Sequence, residues 1–164
     1  MSKTKRPDFI RHEKEIERPR RSRYPGSGDQ WGSGSSFSEA VGLTRIGIHH
    51  QTLPPGHRTS FPHAESAEEE FVYVIEGAPD VWIDGELFRL APGDGVGFPA
   101  GTGIAHSFLN NTDAPVRLLV VGETDKDENR IVYPVNPELR EHRDDWWDDA
   151  PVRPLGPHDG RPRG

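Results

Sequence analysis

Between Val41 and Glu123, short runs of β-branched, aromatic and aliphatic residues alternate with turn residues. No 3.6-residue period runs through this region, so the pattern favours strands over helices. Seven runs are present, at residues 43–53, 70–77, 80–83, 86–90, 96–100, 105–110 and 116–123. Asp84 and Gly85 separate two of them and form a strong hairpin signal, because both residues can adopt positive φ angles. The pattern predicts an all-β antiparallel sandwich or barrel.

The patterned region divides the chain into three parts. We assign residues 1–40 to an irregular N-terminal arm and loop, 41–122 to a barrel, and 123–164 to a C-terminal helix and tail. Within the first part, segment 24–36 is rich in Gly and Ser, which predicts a loop. Residues 1–23 carry nine Lys or Arg against four Asp or Glu. Such a basic arm ordinarily stays mobile or docks on an acidic body.

A short helix is expected after the barrel. Asn136 followed by Pro137 is typical of a helix start. The side chains that would share one helical face are Leu139, His142 or Arg143, Trp146 and Trp147. Three later prolines end any helix and leave an extended tail. We expect the two tryptophans to anchor this segment against the barrel.

Composition and charge exclude several classes of protein. The chain has no cysteine, which excludes disulfides, thiolate metal sites and thiol nucleophiles. Its net charge of -7 argues against general nucleic-acid binding. No run approaches the roughly 18 apolar residues of a membrane helix, and the N-terminus lacks the apolar stretch of a signal peptide. We therefore expect a cytoplasmic protein with no nucleic-acid or membrane partner.

Four ionisable residues are the candidates for chemistry. His63 and Glu65 lie two positions apart, so a strand directs both side chains to one face. Glu70 opens the next predicted strand and His106 opens a late one. In a small barrel these side chains could converge. Two imidazoles with one or two carboxylates suit one divalent first-row ion: iron, manganese, nickel, cobalt or zinc.

The spacing of the first histidine and the glutamates resembles the first motif of the cupin superfamily. That motif reads Gly, five residues, His-x-His, three or four residues, Glu, six residues, Gly. The matching positions here are Gly56, His63, Glu70 and Gly77. His63 follows Gly56 by seven positions instead of six, and Glu65 stands where the family has its second histidine.

The second cupin motif is also present. It reads Gly, five residues, Pro-x-Gly, two residues, His, three residues, Asn. The matching positions are Gly93, Pro99, Gly101, His106 and Asn110, with two extra residues before the histidine. The two motifs, in order and separated by a hairpin, cover about residues 41–122. The chain is thus similar to single-domain bacterial cupins, which implies a jelly-roll barrel.

The resemblance also implies a metal centre. The family's ligands fall on His63, Glu70 and His106, and Glu65 takes the position of the fourth. Glu65 is then either a fourth ligand, which would favour iron(II) or manganese, or a catalytic base beside a triad of two histidines and one carboxylate. The remaining alternative is a degenerate cupin without a metal.

Two phenylalanines are candidates for the wall of the pocket. Phe61 and Phe108 share strand faces with His63 and His106, although core packing explains them equally well.

Cupins include dioxygenases, decarboxylases, isomerases, epimerases, storage proteins and sensors, so the resemblance leaves two kinds of function open. The first is a metal-dependent enzyme that acts on a small oxygen-rich metabolite. The second is a non-catalytic module that binds a metal or small ligand. We also expect a homodimer, because small jelly rolls leave sheet edges that must be covered or paired.

Overall fold

The computed structural model describes residues 6–19, 24, 31–124 and 126–163. Its strands are β1 (Arg18–Pro19), β2 (Ser33–Ser36), β3 (Ile46–Leu53), β4 (Ala64–Glu65), β5 (Glu70–Glu76), β6 (Asp80–Ile83), β7 (Glu86–Arg89), β8 (Gly95–Phe98), β9 (His106–Leu109), β10 (Val116–Glu123) and β11 (Ile131–Val132). Its helices are α1 (Glu13–Ile16), α2 (Phe37–Val41) and a 3₁₀ helix at Pro137–His142. None of these helices is long and apolar enough to cross a membrane.

The strands form three antiparallel sheets. A six-stranded sheet has the order β1-β2-β3-β10-β5-β8, a three-stranded sheet has the order β7-β6-β9, and β11 pairs with β4. All seven runs of the sequence pattern form strands, and the predicted hairpin is confirmed. Asp84 and Gly85 connect β6 to β7 with φ angles of 47° and 92°.

The main core lies between the two larger sheets. It contains Leu53, Val72, Val74, Phe98, Val116, Leu118 and Val120 from the six-stranded sheet, and Val81 and Phe108 from the three-stranded one. Buried residues alternate with more exposed ones along the middle of β5 and along β10, as a sandwich requires. The predicted all-β jelly-roll class is confirmed.

One part of the predicted loop at residues 24–36 is wrong. Residues Ser33–Ser36 form β2, which pairs with β3 so that Ser35 lies opposite His50. Ser35 is 1% exposed, and a small polar side chain suits this covered position. Small polar residues carry no strand signal, so the neighbouring strand determines this conformation. Residues 25–30 lie outside the described part of the chain.

The predicted C-terminal helix is also corrected. It is a 3₁₀ helix that ends at His142, and the side chain of Asn136 makes no capping hydrogen bond. The two tryptophans lie beyond it in an extended segment, where Trp146 bridges Ile131 and Trp147 donates its backbone N–H to the Ile131 carbonyl at 2.9 Å. Extended backbone sends neighbouring side chains to opposite sides, so the two rings join different apolar clusters.

The tail lies against the three-stranded sheet. The backbone N–H of Gly156 donates to the Asp84 carbonyl at 2.7 Å, and that of His158 donates to the Gly85 carbonyl at 3.0 Å. The indole N–H of Trp82, a fully buried side chain, donates to the His158 carbonyl at 2.8 Å. Backbone contacts therefore hold the tail over the hairpin turn, in addition to side-chain packing.

Candidate metal centre

The pleat of the six-stranded sheet directs Glu70 towards the interior. Val72 and Val74 on β5 are buried, and Glu70 lies on their side of the strand because side chains alternate. In register, Glu70 lies opposite Phe98 on β8 and Gly122 on β10. Because Gly122 has no side chain, the side chains at this end of the three neighbouring strands are those of Glu70 and Phe98. Both line one small cavity.

His63 and His106 are neighbours across an isolated antiparallel bridge. The backbone N–H of His63 donates to the His106 carbonyl at 3.2 Å, and that of His106 donates to the His63 carbonyl at 2.9 Å. The centroids of the two imidazole rings are 4.9 Å apart. The backbone therefore fixes two imidazoles side by side, although the residues are far apart in the chain.

The tautomer of His63 is set by a hydrogen bond to the backbone carbonyl of Phe61. Nδ1 lies 2.9 Å from the backbone oxygen of Phe61, and a carbonyl only accepts, so Nδ1 carries the proton. Nε2 then keeps its lone pair. Burial of the ring, followed by the neighbouring His106, lowers the pKa of His63 to about 4. The ring is therefore neutral at physiological pH, which is the form that binds a metal.

His106 meets the carboxylate of Glu70. Its Nε2 lies 3.2 Å from Oε1 of Glu70, and the side chain of His106 is 5% exposed. Phe98 stacks on the imidazole with a centroid distance of 3.5 Å and an interplanar angle of 5°. Nδ1 of His106 is buried without a hydrogen-bond partner among the described residues. One nitrogen of this ring is thus paired and the other is not, an arrangement that calls for explanation.

Glu65 is a second carboxyl group at this end of the barrel. It lies on β4, opposite Ile131 of β11. Burial raises the pKa of Glu65 to about 8, and the negative charges of Glu68 and Glu70 act in the same direction. Without a cation, Glu65 is therefore largely protonated at neutral pH. A bound cation would reverse this preference.

The four predicted ligands lie together but do not surround a point. Among the described residues, no three His, Asp or Glu side chains come close enough to hold a metal ion. A cavity of about 10 Å³, room for about one water molecule, lies beside three of the four. Its lining is Glu65, Glu68, Glu70, Phe98, Pro99, Thr102, Ile104 and His106. The donor chemistry fits a divalent ion, because a neutral imidazole, an imidazole–carboxylate pair and a crowded carboxyl group are all present.

The two phenylalanines that are predicted to wall the pocket do not line this small cavity. Phe61 stacks on Tyr24 at 4.1 Å and lies edge-on to Trp31 at 5.3 Å, with the guanidinium of Arg58 4.3 Å above its ring. Phe108 is 1% exposed in the main core. Neither is part of the lining of the small cavity. Their positions agree with the core-packing alternative.

Several residues near the site had no assignment from sequence, and three of them act on the candidate ligands. Phe98 stacks on His106, Tyr133 stacks on His63, and Arg143 lowers the pKa of Glu65 by its positive charge. Phe98 could have been found, because it immediately precedes Pro99 of the second motif. Tyr133 and Arg143 lie outside both motifs and carry no local signal.

Comparison with protein families gives a match over the barrel. Residues 49–122 match the model of the cupin domain family. Among curated proteins, the polyketide synthase CurC of Streptomyces cyaneus is 40% identical over 79 residues, which are 48% of this chain and 49% of that one. The chain thus spans about half the length of the curated relative that it matches.

Solved structures give a related result. A sugar phosphate isomerase from a cupin superfamily, from Silicibacter pomeroyi, is 37% identical with a TM-score of 0.59, covering 62% of this chain and 64% of that one. The polyketide cyclase RemF of Streptomyces resistomycificus is 21% identical with a TM-score of 0.56, covering 76% and 87%. The second likeness shows the fold alone.

Proposed function

Because the chain belongs to the cupin superfamily, we propose that it binds one divalent first-row metal ion through His63, Glu70 and His106. We propose further that it is a metal-dependent enzyme acting on a small oxygen-rich metabolite. Iron, manganese, nickel, cobalt and zinc all accept this donor set.

The observation that carries the proposal is the orientation of His63. Its Nδ1 donates to the Phe61 carbonyl at 2.9 Å, as metal-binding histidines typically donate their other ring nitrogen to a backbone oxygen. The Nε2 lone pair belongs to a ring 4.9 Å from that of His106. His106 in turn pairs with Glu70. These side chains would have to turn towards one another to bring three donors to one ion.

Glu65 has two possible tasks, which depend on its charge. As an ionised carboxylate it would be a fourth ligand. As a group with a pKa raised to about 8, it would hold a proton at its carboxyl oxygen and exchange it with a substrate. The bound metal would supply Lewis-acid polarisation of a substrate oxygen. Phe98 and Ile104 supply an apolar part of the cavity lining.

The surroundings also favour one kind of substrate. The relatives are named for a polyketide synthase and a sugar phosphate isomerase, and both names point to oxygen-rich compounds. Glu65, Glu68 and Glu70 line the same small cavity. Carboxyl groups disfavour an anionic neighbour, so we propose that a hydroxyl or carbonyl group of the substrate, rather than a phosphate, faces this site.

Cavity size favours a second candidate, a module that binds an ion or small ligand without turnover. The enclosed space of about 10 Å³ holds an ion or a water molecule but no metabolite. A metabolite would therefore occupy other space, such as the groove of about 420 Å³ that shares Glu70, Phe98 and Pro99 with this cavity. Turnover and stoichiometric metal binding are separable, so the two candidates can be distinguished once the metal is known.

Elemental analysis of metal-replete protein tests the metal site. The wild type should carry about one ion per chain, and His106→Ala and Glu70→Ala should carry almost none. His142→Ala, which alters an exposed histidine, is the matched control and should keep the full complement. A wild type with far less than one ion, or a His106→Ala variant with a full complement, would refute the proposal.

We also propose a homodimer that forms through the outer face of β5. Phe71, Tyr73 and Ile75 are 45%, 40% and 39% exposed there, an apolar row beside the open edge of β8. Sedimentation should give a dimer for the wild type and a monomer for Tyr73→Glu. A monomeric wild type would contradict this interface.

A further inference from the structure

The chain beyond the matched cupin region forms one wall of the candidate metal centre. The strand β11 pairs with β4, which places Ile131 opposite Glu65. The backbone N–H of Ser66 donates to the Arg130 carbonyl at 2.9 Å, and that of Ala67 donates to Oδ1 of Asn129 at 3.0 Å. The C-terminal segment therefore holds the loop that carries His63 and Glu65.

From this wall, Tyr133 reaches the imidazole of His63. The two ring centroids are 5.9 Å apart with an interplanar angle of 29°. Tyr133 is 4% exposed, so its ring has little freedom to move. The guanidinium of Arg143 lies 5.3 Å from the Tyr133 centroid, and Asp145 binds that guanidinium through two hydrogen bonds of 2.7 and 2.5 Å.

The other imidazole also contacts an aromatic ring, at closer range. Phe98 stacks on His106 at 3.5 Å, while the rings of His106 and His63 are 4.9 Å apart and tilted by 38°. The planar groups thus follow one another as Phe98, His106, His63 and Tyr133. Each of the two imidazoles thus contacts the other imidazole and one further aromatic ring. A hydrogen bond at Nδ1 alone would leave the plane of His63 partly free, because rotation about that bond is soft.

We infer that Tyr133 is a positioning residue that sets the ring plane of His63, so that the segment beyond the cupin region completes the metal centre. This inference rests on the proposed function, in which Nε2 of His63 is a metal donor. The contribution of Tyr133 comes from its planar ring rather than its hydroxyl. Phenylalanine should therefore replace it, and an unbranched or aliphatic side chain should not.

Cobalt(II) titration of the full chain tests the inference by two readouts, the dissociation constant and the visible absorption spectrum. Tyr133→Leu should weaken cobalt binding by about tenfold, the lower end for residues that orient metal ligands, and should alter the spectrum. Tyr133→Phe should match the wild type in both. If Tyr133→Leu does not fold, Tyr133→Met replaces it.

Leu139→Ala is the matched control, because Leu139 is buried in the same apolar cluster as Tyr133. It should destabilise the cluster without altering the cobalt spectrum. A wild-type spectrum and affinity for Tyr133→Leu would overturn the inference, as would equal changes in Leu139→Ala.

A measurement on the metal-free protein separates this inference from the proposed function. Long-range ¹H–¹⁵N NMR should show His63 with its proton fixed on Nδ1 in the wild type and in Tyr133→Phe. In Tyr133→Leu the two tautomers should mix. If the wild type binds no cobalt, the metal proposal fails, and the NMR result alone decides whether Tyr133 orients the ring. Identical His63 signals in all three proteins would refute that role.

Discussion

The two ends of β5 face the same interior but differ in chemistry. Val72 and Val74 lie in an apolar core with Leu118 and Val120, whereas Glu70, on the same face, meets an imidazole and a cavity with two further carboxyl groups. The apolar end is stabilised by burial, which is insensitive to pH. The polar end lowers the stability of the fold, because burying an ionisable group removes its hydration and costs free energy. One strand thus joins a region that stabilises the fold to a region that a bound cation would stabilise.

Removing apolar volume should give the largest effect. Leu118 is fully buried, so Leu118→Ala should lower the free energy of unfolding by about 2–5 kcal/mol. Leu119→Ala, on the outward face of the same strand, is the matched control and should cost much less. Denaturant unfolding of metal-free protein measures both. Equal losses for the two variants would contradict the alternation on which the comparison rests.

The polar end should instead respond to pH. Glu65 has its pKa raised from 4.5 to about 8, so between these values the folded state holds a proton that the unfolded state releases. The free energy of unfolding therefore falls as pH rises through this window. His63, with its pKa lowered from 6.5 to about 4, acts in the opposite direction, but only below pH 6.5. Between pH 6.5 and 8, Glu65 acts without that opposition.

Chelator-treated protein provides the measurement. From pH 6.5 to 8 the wild type should lose stability with a slope of at most about 1.4 kcal/mol per pH unit, the value for one proton. Glu65→Gln should flatten this slope, because the amide does not titrate. Leu118→Ala should keep it, since the apolar end has no titrating group. A slope that persists in Glu65→Gln would assign the effect to another residue.

The same contrast explains what the sequence could predict. The core strands and the hairpin at Asp84 and Gly85 follow from local alternation and turn chemistry, which act over a few residues. The contact between Glu70 and His106 was expected through the resemblance to the two cupin motifs, which implies that these two strands meet.

Other features depend on partners distant in the chain. The strand at Ser33–Ser36 forms because it pairs with the edge of β3. Its small polar residues do not predict a strand. Trp146 and Trp147 are extended because they pair with Ile131, which overrides a helical pattern. The contact of Tyr133 with His63 is a matter of tertiary packing between residues 70 positions apart. No local pattern encodes such contacts.

The smallest expected effect is a change of metal preference that leaves the site in place. Glu65→His restores the imidazole usual at this motif position and removes one carboxyl group from beside Glu68 and Glu70. Softer ligands favour nickel and zinc over iron(II) and manganese. In elemental analysis after exposure to equal manganese and zinc, the bound zinc-to-manganese ratio should rise by about tenfold, which corresponds to about 1.4 kcal/mol.

Glu65→Gln separates charge from ligand type in this experiment. If Glu65 faces the ion, the amide should weaken manganese binding without gaining zinc, because it supplies no imidazole. An unchanged metal ratio in Glu65→His would mean that Glu65 does not ligate, which leaves His63, Glu70 and His106 as the metal ligands and Glu65 as the base. The apolar variant Leu118→Ala should keep the wild-type zinc-to-manganese ratio in either case. The space that this substitution opens lies in the apolar core and not beside the candidate ligands. A shifted zinc-to-manganese ratio in Leu118→Ala would show that the two ends of β5 are coupled.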